Sequence, residues 1–228
     1  MLLEVIRMSE KPLVVFDMDG VLVYARSSWR VVHDHFGVDN EKSFDLYMRG
    51  EIDDMEFMRR DISLWRREKP DLDRSDLEDI FRKVRRMRNL QRALNLVRDT
   101  GAATAIISGG IDIMAKQIAS VSPVDHLVAN GFESDENGIL TGEGRLMVPL
   151  RNKGSALTSL KEQRGYSPLV TIGDSIVDGT MFDLSDLSVG FRPLESEVRS
   201  MVDVVVENDD LLEGTSIVRD WLEDRIKE

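Results

Sequence analysis

Residues Val14 to Val23 read VVFDMDGVLV. An unbroken apolar run, rich in valine and closed by Gly20, predicts a strand buried on both faces. Asp17 and Asp19 then fall at its carboxyl end, where open α/β sheets bind ligands. Unpaired carboxylates are costly to bury, so two acids at that point need a partner, and a hard cation supplies one. A lone Asp-x-Asp-Gly is as compatible with an exposed turn as with a site. The apolar strand in front of it tips the balance towards function.

The pattern after this strand is helical. Ser27 or Ser28 can cap a helix that Gly37 ends, and Asp39 or Asn40 a short one ending near Gly50. A longer helix starts at Asp53 and stops before Pro70, and Ser75 opens another with Glu78 in a capping-box position. A further helix spans Asn89 to Thr100. From there strands return: Ala102 to Ile107, Val124 to Ala129, Leu169 to Ile172, Leu187 to Phe191 and Val202 to Val206, with helices between them. Glycines at 131, 138, 142 and 144 suggest a β-hairpin beside the main sheet. The alternation predicts an α/β fold, a doubly wound and mostly parallel sheet with helices on both faces. Roughly seventy helical residues separate the first strand from the second, too many for an idle loop. They are read as an inserted cap, residues 25–92, against a core of 1–24 and 93–228.

Three further segments carry chemistry. Ser108 ends a strand and precedes Gly109-Gly110, where a ligand can approach the backbone and a helix N-terminus can meet a phosphate. Lys153 lies in the first turn of a helix, a poor place for a cation unless an anion is near; Arg151 competes for that role. Asp174 follows an apolar strand and a glycine, and Asp178 lies one turn on, so both can face one side. Singly, Ser108 is better explained as a helix cap and Lys153 as a solvated charge, while Asp174 or Ser175 can cap the next helix without excluding a site role. Together, all four segments fall at one edge of a parallel sheet.

Composition narrows the partners. A net charge of −12 opposes binding to nucleic acid or an anionic membrane. It leaves room for a small phosphorylated metabolite whose charge is met locally. The absence of cysteine removes disulfides and thiolate chemistry. The three histidines, His33, His35 and His126, are too scattered for a usual zinc site. No apolar run reaches a membrane span. The N-terminal MLLEVIRMSEKPL carries charges inside any signal core, so a cytoplasmic location is expected, with Met8 a possible alternative start.

FDMDGVL, ISGG, Lys153 and GDSIVD, in this order, resemble the haloacid dehalogenase superfamily of phosphohydrolases over nearly the whole chain. SGGIDIMAKQIA, MRGEIDDMEF and the hairpin around NGILTGE are similar to its phosphoserine phosphatase branch. The resemblance implies a Rossmann-like core with a helical cap and a Mg²⁺-dependent phosphatase. Asp17 would be the nucleophile and Asp19 the general acid and base. Ser108, Gly109 and Lys153 would hold the phosphoryl group. Asp17, the Met18 backbone carbonyl and Asp174 would bind the metal, with Asp178 in support.

The substrate end departs from that branch. The glutamate that receives the substrate ammonium there falls at Arg26, and no acid occurs from Tyr24 to Val32. The branch's cap arginine falls near Asp61, with Arg59 and Arg60 adjacent, and its last-motif asparagine is Val177. Arg26, Trp29 and Arg59 or Arg60 are therefore read as cap contacts to a more anionic or non-amino substrate, with solvated charges and a packed tryptophan as the equal alternative. His33 and His35 are read as surface or packing residues, and Met48, Met55 and Met58 as core filling, with an adaptable apolar wall as the alternative. The expected activity is hydrolysis of a small phosphomonoester other than phosphoserine. Transfer of the phosphoryl group to another acceptor, a phosphoserine phosphatase with a rearranged pocket, and a non-catalytic binding protein are the alternatives.

Overall fold

The computed structural model describes residues 11–226; the question of Met1 or Met8 as the start lies outside them. Strand β1, Leu13–Phe16, is fully buried and stands at the centre of a seven-stranded sheet of order β4-β3-β2-β1-β5-β6-β7. Its parallel neighbours are β2, Ala103–Ile111, and β5, Leu169–Gly173. Next to β2 lies β3, His126–Ser134, also parallel, and β4, Leu140–Arg145, runs antiparallel at that edge. On the other side β6, Leu187–Phe191, and β7, Val204–Val206, complete the parallel set. The expected hairpin thus joins the main sheet as its edge.

Period-two alternation explains why β1 is apolar throughout. Val14 and Phe16 join one hydrophobic cluster and Leu13 and Val15 the other, so both faces of the sheet are covered. Helix α7, Lys153–Arg164, packs on the second cluster through Leu157 and Leu160. Helices α5, Leu90–Asp99, and α9, Leu211–Ile226, pack together on the first. Helix α6, Asp112–Val121, follows β2, and the four-residue α8, Gly179–Phe182, follows β5.

Four helices stand between β1 and α5: α1, Ser28–Phe36; α2, Glu41–Met48; α3, Asp54–Glu68; and α4, Arg74–Phe81. Ser27 and Gly37 cap α1 as their residue types dictate, Ser27 accepting from the Arg30 N–H and Gly37 adopting φ +65°. The start of α4 differs from expectation. Asp73, not Ser75, is the N-cap, and the box partner is Asp76 rather than Glu78. The shorter carboxylate reaches the Asp76 N–H at 2.9 Å while Ser75 donates to it, a cap worth about 1 kcal/mol. No helix among the described residues is long and apolar enough to cross a membrane.

Candidate active site

The carboxyl edge of β1 positions the first acids. The Asp17 N–H still donates to Ile172 O of β5 at 2.9 Å, so the ladder fixes its backbone. The chain then turns through Gly20, φ +76°, whose N–H closes onto Ala25 O at 2.7 Å. A Cβ there would sit 1.8 Å from Asp174 Oδ2, so glycine is required twice over. This turn also involves the Met18 carbonyl. It accepts from Leu22 N at 2.9 Å and Val23 N at 3.2 Å, so the turn already engages it.

Asp17, Asp174 and Asp178 converge, with one oxygen of each within 4.8 Å of the others. All three are buried. Lys153, at the first turn of α7, enters from the far side. Its Nζ lies 2.7 Å from Asp178 Oδ1 and 3.1 Å from Asp17 Oδ2. Burial alone would lower the Lys153 pKa, but the two carboxylates outweigh it and hold the ammonium above its usual range. Asp17 is pushed up to about 6, chiefly by burial and then opposed by Lys153. Asp174 is pushed up to about 8 by burial and by the Asp17 and Asp178 charges, and Arg26 pairs with it. Lys153 and Arg26 thus meet three carboxylates. The buried Oδ1 of Asp17 has no partner in the protein. Three converging carboxylates and an orphaned oxygen suit a hard divalent ion. Asp178 differs from the other two in that its Oδ2 accepts from the backbone N–H groups of Asp174 and Ser175 at 3.0 and 3.1 Å, which shapes the loop after β5.

Asp19 lies apart from this cluster. Its Oδ2 accepts from both the N–H and the hydroxyl of Ser28 at 2.9 Å, while Oδ1 is buried and unpartnered. Burial first, and the Asp17 charge second, push it up to about 7. The same Ser28 hydroxyl accepts from Ile111 N at 2.9 Å, which ties α1 to the end of β2. That strand continues through Ser108, Gly109 and Gly110 rather than stopping before them, with a register shift between Ser108 and Ile111. The N–H groups of Gly110 and Ile111 therefore donate to Ser108 and Ser28, and neither waits for a phosphate. Gly110 has no room for a side chain, since a Cβ would lie 2.6 Å from Asp19 Oδ2.

A cavity of about 340 Å³ opens onto Asp17, Asp19, Ser108, Gly109, Lys153 and Asp174. Of the cap candidates, Arg26 and Trp29 line it. The Trp29 indole N–H donates to Gly109 O at 3.1 Å, and its ring stacks on Trp65 at 5.4 Å. Arg59 and Arg60 lie elsewhere: Arg59 pairs with Glu143 and Glu56, and Arg60 with Glu56, on the outer side of α3. Helical period explains this, because Asp54, Phe57, Met58 and Asp61 form the face that meets the cavity. Arg151, the rival of Lys153, instead donates to Met48 O at 3.1 Å and lies over the Tyr47 ring. Met48 is exposed rather than core filling.

Four residues join the site without having been singled out for it in the sequence: Asn130, Asp54, Asp61 and His33. Asn130 of β3 donates to Gly109 O and Val148 O at 3.0 Å and accepts from Met147 N and Val148 N at 2.8 Å, joining two edges of the site. Asp54 and Asp61 bring acids to the helical side of the cavity, outside the acid-free stretch from Tyr24 to Val32. His33, read as surface or packing, is buried and faces Asp61 at 3.3 Å.

The haloacid dehalogenase-like hydrolase family matches residues 14–183. A phosphoserine phosphatase of Methanocaldococcus jannaschii is 26% identical over 211 residues, covering 90% of this chain and 96% of the relative. One of Archaeoglobus fulgidus is 26% identical over 216 residues, and there the match spans 60% of the relative's length. Among solved structures, a phospho-aspartyl intermediate analogue of phosphoserine phosphatase superposes with a TM-score of 0.74 at 25% identity, covering 90% of this chain and 97% of that one. With the sheet order, the buried acids and the lysine, these matches place the chain in the family of haloacid dehalogenase-like hydrolases.

Proposed function

We propose that this chain is a Mg²⁺-dependent phosphomonoester hydrolase working through an aspartyl-phosphate on Asp17. The observation that carries the reading is the unpartnered, buried Oδ1 of Asp17 beside Lys153 and a second, protonatable acid. One carboxylate oxygen of Asp17 attacks phosphorus while the other serves the metal site, and the ester P–O bond breaks. Asp19, with its pKa near 7, gives its proton to the departing alkoxide. The resulting carboxylate then takes a proton from water as that water attacks the phosphorus, which releases phosphate and restores Asp17. Lys153, Ser108 and the Gly109 backbone hold the phosphoryl group and offset its charge. Asp17 and Asp174, supported by Asp178, would hold Mg²⁺, which when bound screens the negative oxygens of the phosphoryl group.

The substrate is a small phosphorylated metabolite. The relatives named above are phosphoserine phosphatases, which makes O-phosphoserine the first ester to test. Arg26 on the cavity wall, with no acid from Tyr24 to Val32, supports expecting a different one. The test is Mg²⁺-dependent phosphate release from p-nitrophenyl phosphate and a panel of metabolite esters, with acid-quench trapping of labelled protein. Asp17→Asn should reduce release to the level without enzyme and abolish the trapped label. Release at the parent rate would remove Asp17 as nucleophile.

A further inference from the structure

His33 and Asp61 form a polar pair that the proposed hydrolysis does not use. Both are buried, at 1% and 2% exposure, and both line the cavity that holds Asp17. The Trp65 indole N–H donates to His33 Nδ1 at 2.9 Å. An indole can only donate, so Nδ1 carries the lone pair and the ring proton sits on Nε2. That Nε2–H lies 3.3 Å from Asp61 Oδ2 without an aligned hydrogen bond, and no other group accepts it. Asp61 takes the Asn40 amide on its two oxygens at 3.0 and 3.2 Å, which leaves lone pairs unused. A buried donor without an acceptor therefore stands beside a carboxylate with spare acceptor capacity.

A hydroxyl completes this pair, since it accepts from His33 and donates to Asp61. An ammonium has no lone pair for Nε2–H. A carboxylate has no proton for Asp61 and would be repelled by it. The cations that line the same cavity are already engaged: Arg26 with Asp174 and the Arg192 carbonyl, Arg30 with Asp34, and Lys153 with the catalytic acids. Trp29 and Phe57 give the remaining wall apolar faces suited to a carbon chain. We infer that the leaving alcohol carries at least one further hydroxyl, as in a diol, polyol or sugar phosphate, and that this hydroxyl bridges His33 Nε2 and Asp61 Oδ2. The inference deepens the phosphatase reading and rests on it.

The test compares near-isosteric esters on the unmodified protein with Mg²⁺: glycerol 1-phosphate, propyl phosphate, O-phosphoethanolamine and O-phosphoserine. A site built to bond a hydroxyl rejects the analogue that lacks it, so glycerol 1-phosphate should exceed propyl phosphate by at least about tenfold in kcat/KM. It should also exceed both amines. In Asp61→Asn the glycerol-to-propyl ratio should fall below about threefold. A ratio near one in the parent, or a preference for either amine ester, overturns the inference while leaving the phosphatase intact. If no ester, p-nitrophenyl phosphate included, is turned over, the hydrolytic reading fails separately. Binding of glycerol 1-phosphate and propyl phosphate to Asp17→Asn, followed by tryptophan fluorescence, then decides the hydroxyl preference by the same ratio.

Discussion

Replacing Lys153 with methionine keeps the length of the side chain and removes its charge. The ammonium is 2% exposed and stands between Asp17 at 3.1 Å and Asp178 at 2.7 Å. Breaking a buried ion pair from one side costs about 3–5 kcal/mol, because the acids remain buried without compensation. For a domain of this size each kcal/mol moves Tm by about 2–4 °C. Lys153→Met in chelator should therefore melt about 6–20 °C below the parent by scanning fluorimetry. Adding Asp178→Asn should recover part of the loss, since the two positions share one interaction. Mg²⁺ should raise Tm more in Lys153→Met than in the parent, because a cation bound among the same acids replaces the missing charge. A drop below about 3 °C, well under what the buried pair implies, or equal Mg²⁺ effects in both proteins, would refute the reasoning.

The acids give the metal-free protein a pH dependence of definite sign. Asp17, Asp19 and Asp174 have folded pKa values raised to about 6, 7 and 8 from an ordinary value of 3.8. The folded state then holds more protons than the unfolded one between these limits, so stability is lost as pH rises from 4 to 8. Tm in chelator should fall over that range and flatten with Mg²⁺; a rise would contradict the assignment. Gly110→Ala would place a methyl 2.6 Å from Asp19 Oδ2, Ser28 Oγ and Met18 Cε. Displacing the acid by a fraction of this overlap should lower kcat about 100-fold with modest change in KM, as steady-state kinetics would show.

The meeting of the acids and the lysine at the sheet edge was legible because each signal is local. VVFDMDG joins a buried strand to two acids within a few residues, and ISGG, Lys153 and GDSIVD each carry their own strand or helix boundary. Parallel pairing then brings the segments together without further instruction. Residues 25–92 were legible as helices but not as a wall of the cavity. Which face of α3 meets the cavity depends on packing, so Arg59 and Arg60 were as plausible from sequence as Asp54 and Asp61. His33, Asn40 and Asp61 lie on or beside three different cap helices, and their meeting is a product of tertiary contacts such as the Trp65–His33 bond. The turn contacts of the Met18 carbonyl were not legible for a related reason: turn hydrogen bonds leave little trace in composition.

Ser28 is bonded to Asp19 on one side and to Ile111 on the other, while its neighbour Trp29 holds the Gly109 carbonyl. Two adjacent residues at the head of α1 thus brace the acid and the end of β2. Any outward swing of α1 would release both together. The opening that admits bulk water is then the one that leaves the proton donor without its brace, so leakage and loss of aim arrive in a single event.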